Sequence, residues 1–128
     1  MATILLVEDS KFLRIATERM MTKAGYRVIT AGDGEEALQV AARALPDLII
    51  LDMLLPKLSG PEVLRSLKDN SATAQIPVIV CTGLCQKNED KLLREGAAAF
   101  LEKEPLLEHP ELLLNSVESA LSALHKKG

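Results

Sequence analysis

The chain has 128 residues, 48% of them hydrophobic, and its 15 basic and 18 acidic side chains give a formal net charge of −3. This length and composition predict one domain, residues 1–128, with a hydrophobic core large enough to fold without disulfide bonds. The weak acidity argues against a nucleic-acid-binding protein, and no apolar run approaches the roughly 20 residues of a membrane span. We therefore expect no nucleic-acid or membrane partner. Because the N-terminus lacks a leader pattern and two cysteines are too few for a disulfide framework, we expect a cytoplasmic protein.

Five short apolar runs predict β-strands. They cover residues 3–7, 27–30, 47–51, 77–81 and 98–101. The runs ILLV, LIIL and VIV do not alternate with polar residues, which is typical of strands buried on both faces of a parallel sheet.

Segments of helical period separate these strands. The predicted helices cover residues 11–24, 33–44, 59–69, 87–95 and 110–125. In the first helix, the side expected to face the core is formed by Phe12, Ile15, Ala16, Met20 and Ala24. The regular alternation of strand and helix predicts a flavodoxin-like, doubly wound α/β fold. We expect five helices around a five-stranded parallel sheet of order 2-1-3-4-5.

Side chains able to do chemistry follow four of the five predicted strands. They are Glu8 and Asp9 after the first strand, Asp52 after the third, Thr82 after the fourth and Lys103 after the fifth. In an open parallel sheet, ligands bind beyond the carboxyl ends of the strands. The second strand ends without a reactive group, and the predicted order puts it at an edge. The four reactive ends are therefore expected to lie side by side.

Three carboxylates in one pocket repel one another unless a cation lies among them. The candidate side-chain ligands are all oxygens, which suits Mg²⁺ or Mn²⁺ and does not suit Zn²⁺. Lys103 and the Thr82 hydroxyl can each contact a phosphoryl oxygen, and Asp52 is then the natural nucleophile for an aspartyl phosphate. A simpler interpretation remains open for one acid, since Asp9 or Ser10 could serve only as the cap of the first helix.

Over nearly its whole length, the sequence resembles the response regulator receiver domain of two-component signalling. The matching stretches are ILLVEDS (4–10), GY (25–26), AGDGEEA (31–37), DLIILD (47–52), LP (55–56) with Gly60, PVIVCT (77–82), GA (96–97), Phe100 and Lys103. Residue type and spacing agree across all five strand–helix units, so the resemblance is highly specific. It implies the fold expected above and a stand-alone, single-domain phosphoacceptor.

The resemblance also implies a role for individual residues. Asp52 is the implied phosphoacceptor, and Mg²⁺ is held by Glu8, Asp9, Asp52 and the backbone carbonyl of Met53. Thr82 and Lys103 contact the phosphoryl group, and Phe100 is the switch aromatic. Such a domain is not an enzyme, apart from slow loss of its own phosphoryl group.

The implied partners are proteins. A histidine kinase or a phosphotransfer protein supplies the phosphoryl group, and a downstream protein target binds the face formed by the fourth predicted helix, the fifth strand and the fifth predicted helix. The ends of the chain do not distinguish a stand-alone receiver from one excised from a longer protein.

Two features depart from the usual receiver pattern. The residue after Lys103 is Glu104, where receivers usually have proline after a cis peptide bond, and a cis bond before a non-proline residue costs about 2.5–4 kcal/mol. We therefore expect a trans bond here, or else a strained loop. Leu54 and Leu84 occupy the positions that flank the phosphoryl group, and neither side chain can orient an attacking water. We therefore expect a long-lived phosphoryl state.

Two other classes of protein are compatible with this fold. Glu104 favours a pseudo-receiver, an interaction module that works without phosphorylation. A flavodoxin-like cofactor enzyme would need a phosphate-binding loop after the first strand, where the acidic pair Glu8-Asp9 repels phosphate unless a metal is bound.

The spacing of Cys81 and Cys85 matches neither a redox nor a metal motif, and Cys81 is expected in the core.

Overall fold

A computed structural model describes residues 2–52, 57–82, 96–102 and 111–127, without the side chains at 82, 99–102 and 123–127. The strands are β1 (Thr3–Val7), β2 (Arg27–Ala31), β3 (Leu48–Asp52), β4 (Val78–Thr82) and β5 (Ala99–Glu102). The helices are α1 (Lys11–Lys23), α2 (Gly34–Ala44), α3 (Gly60–Asp69) and α4 (Glu111–Lys127). Helix α4 is the fifth predicted helix, and the fourth, at 87–95, lies outside the described residues. Within the described part of the chain, no helix is both long and apolar enough to cross a membrane.

The strands form a parallel sheet in the order β2-β1-β3-β4-β5, which places β2 at one edge. The predicted flavodoxin-like α/β class is confirmed, and the strand order is the one expected from the sequence. Every residue of β3 is buried, whereas β2 is mostly half-exposed. The central position of β3 explains why its sequence is a continuous apolar run.

The core consists of two layers, one on each face of the sheet. Side chains alternate between the faces along each strand, so Leu5 and Val7 point to one layer and Ile4 and Leu6 to the other. Helices α2 and α3 cover the first layer. Helix α1, through Met21, and helix α4 cover the second. Among the side chains of α4 that the structure describes, Leu113, Val117 and Leu121 are buried there.

The prediction of which residues of α1 point toward the core is wrong for four of the five residues. Phe12 is 76% exposed, and Ile15, Ala16 and Ala24 are exposed as well, while Met20 is half-buried against the core. The side chains of α1 that pack against the core are Met20 and Met21, and Leu13 and Thr17 are half-buried two turns and one turn before Met21. Because Thr17 is polar, the sequence did not mark this side of the helix as apolar.

Each of the first three helices begins at a polar residue whose side chain accepts a backbone N–H. The caps are Ser10 for α1, Asp33 for α2 and Ser59 for α3. The Asp33 carboxylate accepts the Glu36 N–H at 2.8 Å, and this bond, aided by Lys57, lowers the pKa of Asp33 below its ordinary value. These caps satisfy N–H groups that have no partner within the helix and so fix where each helix starts.

Helix α2 ends at Leu45, which adopts a left-handed conformation (φ 46°, ψ 63°) and is 53% exposed. A side chain with a Cβ pays about 1–2 kcal/mol for that conformation, and glycine does not. We expect Leu45→Gly to raise the free energy of unfolding by up to about 1 kcal/mol, measured by urea denaturation. Leu45→Ala keeps the Cβ and should bring no gain. Equal stabilities of the two variants would contradict this explanation.

Candidate functional site

The carboxyl ends of β1 and β3 bring three acidic side chains together. Val7 pairs with Leu51 across these neighbouring strands, so the residues that follow, Glu8 and Asp52, lie side by side. Carboxylate oxygens of Glu8, Asp9 and Asp52 all lie within 4.8 Å of one another. The structure therefore gathers the three carboxylates that the sequence placed at the strand ends.

The three acids differ in exposure. Glu8 and Asp52 are only 6% and 4% exposed, whereas Asp9 is exposed to solvent. Two carboxylates thus line the bottom of the cluster and one lies at its mouth. Negative charges at this distance in a partly buried site repel one another, and a bound cation relieves the repulsion.

Asp9 is not the cap of α1. The Ser10 hydroxyl accepts the Leu13 N–H at 3.4 Å, and Ser10 has the extended backbone of an N-cap residue. Of the two residues that could have capped this helix, Ser10 takes the role, as one of the two alternatives had it, and Asp9 does not. The Asp9 carboxylate is available to the acidic cluster.

Hydrogen bonds to its main chain and its carboxylate hold Glu8 in place. Its N–H donates to the Ala31 carbonyl at 3.1 Å, extending the ladder between β1 and β2 past the end of the strand. One of its carboxylate oxygens, Oε2, accepts the Ser10 N–H at 3.2 Å. Its backbone carbonyl accepts Nη1 of Arg14 at 3.0 Å.

Arg14 is the residue at this site that sequence reasoning missed. A contact with a backbone carbonyl leaves no pattern of paired residue types in the sequence. A weaker signal was present, however, since Arg14 lies near the start of α1, and this helix has no acidic residue in its first turn. Basic residues are unfavourable at a helix N-terminus, so a departure from that rule beside a predicted acidic site points to function.

The acidic cluster fits a divalent cation such as Mg²⁺. Two oxygens bound to the same Mg²⁺ are at most about 4.2 Å apart, twice the metal–oxygen distance. The carboxylate oxygens of Glu8, Asp9 and Asp52 already lie within 4.8 Å, so small side-chain movements bring them into range. Among the described residues the cluster contains carboxylates only, which is the donor chemistry of Mg²⁺ and Mn²⁺.

Two further predicted site residues are placed by their backbone. Cys81 in β4 pairs with Asp52. Thr82 follows Cys81 as the last residue of the strand, so it lies at the carboxyl ends of the strands, where the acidic cluster is. Phe100 pairs with Val80 inside β5. The other predicted residues lie outside the described part of the chain: Met53, Leu54, Leu84, Lys103 and Glu104. Their roles stay predictions, as does the expected long-lived phosphoryl state.

The two cysteines noted in the sequence are not among the predicted site residues. Cys81 is buried in the layer covered by α1 and α4, as predicted. Cys85 lies outside the described residues.

Comparison with known proteins identifies the family. The family model of the response regulator receiver domain matches residues 4–117 of this sequence. The chain therefore belongs to the receiver domain family of two-component signalling. The polar-differentiation response regulator DivK of Brucella anthropi is 33% identical over 104 residues, which cover 81% of this chain and 85% of DivK.

A larger relative shares only one segment with this chain. The response regulator PleD of Caulobacter vibrioides is 42% identical over 104 residues, which cover 80% of this chain but 23% of PleD. The chain thus matches less than a quarter of that protein's length.

Solved structures agree with this assignment. A CheY-like receiver domain from Methanospirillum hungatei superimposes with a TM-score of 0.91 at 26% identity and covers 100% of this chain and 99% of its own. The receiver domain of a sensor histidine kinase from Pseudomonas aeruginosa, with magnesium coordinated in its active site cleft, has a TM-score of 0.73 at 32% identity. That alignment covers 80% of this chain and 84% of the other.

Proposed function

We propose that this receiver domain is a phosphoacceptor switch that takes a phosphoryl group onto Asp52 in the presence of Mg²⁺. The observation that carries the proposal is the position of Asp52, buried at the end of the central strand with carboxylate oxygens of Glu8 and Asp9 within 4.8 Å. A nucleophilic carboxylate beside a cation site is the arrangement that aspartyl phosphorylation requires.

In the proposed reaction, a carboxylate oxygen of Asp52 attacks the phosphorus of a phosphohistidine on the donor protein. The new O–P bond forms as the P–N bond breaks, and the bonding electron pair leaves with the imidazole nitrogen. Glu8 and Asp9 would hold Mg²⁺ together with Asp52 and the Met53 carbonyl. When bound, the metal neutralises negative charge on the transferring group.

The supporting residues of the proposed site come from β4 and from beyond β5. Thr82 ends β4 at the edge of the sheet that carries the acidic cluster. Its hydroxyl is proposed to donate to a phosphoryl oxygen, and Lys103 to provide a positive charge there. The domain catalyses no turnover of a substrate, and the phosphoryl group stays on Asp52 until it is passed on or slowly hydrolysed.

Magnesium is the proposed cofactor, with manganese as an alternative. The donor set of three carboxylates supports a hard cation. The magnesium in the Pseudomonas receiver domain supports the same assignment by similarity.

The proposed partners are a histidine kinase or phosphotransfer protein as donor and a downstream protein as target. Phosphorylation is proposed to change binding on the face formed by the fourth predicted helix, β5 and α4, where Phe100 is the proposed switch aromatic. Action in the cytoplasm, without a nucleic-acid or membrane partner, belongs to the same proposal.

Phosphorylation by acetyl phosphate tests the proposal and separates it from the pseudo-receiver alternative. In the presence of Mg²⁺, the chain should gain one phosphoryl group by intact mass, with acetate leaving as the P–O bond breaks. Asp52→Asn and added chelator should each abolish the gain, because one removes the nucleophile and the other the metal.

Asp69→Asn provides the matched control, because Asp69 is an exposed carboxylate at the end of α3. This variant should be phosphorylated like the wild type. An unmodified wild-type chain would favour the pseudo-receiver, and equal modification of Asp52→Asn would show that another residue is the acceptor.

A further inference from the structure

Arg14 connects helix α1 to the peptide that links two acids of the cluster. Its Nη1 donates to the carbonyl of Glu8 at 3.0 Å, across a separation of six residues, in a partly buried contact. That carbonyl belongs to the peptide bond between Glu8 and Asp9. The orientation of this peptide determines where the Asp9 side chain leaves the backbone, so the hydrogen bond acts on both acids.

The loop after β2 leaves space for the Arg14 guanidinium. A Cβ atom added to Gly32 would lie 3.3 Å from Nη1 of Arg14, closer than most contacts of a real Cβ. The Gly32 N–H donates to Oε1 of Glu36 at 2.7 Å, which holds this loop against the start of α2. Arg14 is therefore enclosed between the loops that follow β1 and β2.

The position of Arg14 has two electrostatic costs, although the neighbouring carboxylates attract its charge in the metal-free protein. A positive charge near the first turn of a helix opposes the helix dipole, and a positive charge beside a cation site opposes binding of the cation. The hydrogen bond to the Glu8 carbonyl compensates for these electrostatic costs, because a guanidinium presents rigid, directional donors to a fixed carbonyl.

We infer that Arg14 is a positioning residue, which holds the Glu8–Asp9 peptide so that both carboxylates face Asp52 before a cation binds. The inference rests on the proposed Mg²⁺ site. It assigns to Arg14 no contact with the metal or with the phosphoryl group.

The affinity for Mg²⁺, measured by calorimetric titration of the unphosphorylated chain, tests this inference. We expect Arg14→Ala to weaken Mg²⁺ binding about tenfold, the lower end of the effect of removing a residue that supports a metal ligand. Loss of a positive charge alone would strengthen binding of a cation. The sign of the change therefore separates positioning from simple charge repulsion.

Arg19→Ala is the matched control, because Arg19 is an exposed arginine on the same helix. It should bind Mg²⁺ as tightly as the wild type or slightly more tightly. Gly32→Ala is the second variant, since its Cβ, 3.3 Å from Nη1, would push the guanidinium by a few tenths of an ångström while Arg14 stays in the sequence, and it should weaken binding less than Arg14→Ala does. Circular dichroism at the temperature of the titration establishes that each variant is folded.

The outcomes distinguish this inference from the proposed function. If the wild type binds Mg²⁺ and Arg14→Ala binds it as tightly as Arg19→Ala does, Arg14 is not a positioning residue and the metal site stands. If Arg14→Ala lowers only the melting temperature in chelator, its role is structural and the inference is also wrong. A wild-type chain that binds no Mg²⁺ overturns the metal site and this inference together.

Discussion

Neutralising Asp9 should stabilise the metal-free protein and remove most of the stabilisation that Mg²⁺ provides. Asp9 lies in a cluster of three carboxylates whose oxygens are within 4.8 Å of one another. Two unit charges 4 Å apart near a protein surface interact by about 4 kcal/mol, and solvent around the exposed Asp9 reduces this value. We expect Asp9→Asn to raise the free energy of unfolding in chelator by about 1–2 kcal/mol.

The increase in stability that Mg²⁺ brings should be smaller in Asp9→Asn than in the wild type. At a concentration about 100 times its dissociation constant, a ligand that binds only the folded state adds about 2.7 kcal/mol. Asp9→Asn loses one of the three proposed carboxylate ligands, so its melting temperature should rise little when Mg²⁺ is added. Thermal unfolding in chelator and in saturating Mg²⁺ measures both effects.

Glu118→Gln is the control for a general effect of charge, because Glu118 is an exposed acid on α4 outside the cluster. It should keep the full Mg²⁺ response and show no comparable gain in chelator. A metal-free Asp9→Asn chain less stable than the wild type would show that repulsion does not dominate this site.

The sheet and the acidic cluster were predictable because each depends on patterns along the chain. Continuous apolar runs mark strands buried on both faces, and in a parallel sheet the residues that follow these strands meet at one edge. Glu8, Asp9 and Asp52 could therefore be grouped although more than 40 residues separate the first from the last. Their grouping needed only the strand order, which the alternation of strands and helices limits to few topologies.

Other features depend on single contacts that leave no periodic signal. The predicted inward face of α1 was wrong because the apolar Phe12 and Ile15 are exposed while the polar Thr17 is half-buried. Ser10 and Asp9 are both good helix caps by residue type, so only the geometry could assign the role to Ser10. Arg14 donates to a main-chain carbonyl, which every residue possesses, so no partner residue type could reveal the contact.

Replacing Gly34 by alanine should destabilise the protein strongly, although alanine is favoured in helices. Gly34 is the buried first residue of α2. A Cβ there would lie 2.6 Å from both the Cβ and the backbone oxygen of Leu58, and 2.9 Å from Cγ2 of Val63. Alanine in a helix is better than glycine by about 1 kcal/mol, but overpacking of this kind costs about 1–3 kcal/mol and occasionally more. Because two of these contacts are at 2.6 Å and one is with a backbone oxygen, we expect a cost above that range, about 3–4 kcal/mol, and thus a net loss of about 2–3 kcal/mol in urea denaturation.

Gly25→Ala separates this steric effect from loss of glycine flexibility. Gly25 has a left-handed backbone (φ 100°), and an added Cβ there meets no atom within 4 Å. Its cost should be that of the backbone conformation alone, about 1–2 kcal/mol. Because a backbone oxygen is among the obstructing atoms at Gly34, relief there requires movement of the segment around Leu58, which leads through Ser59 into α3. A Gly34→Ala chain as stable as the wild type would show that this segment moves at little cost.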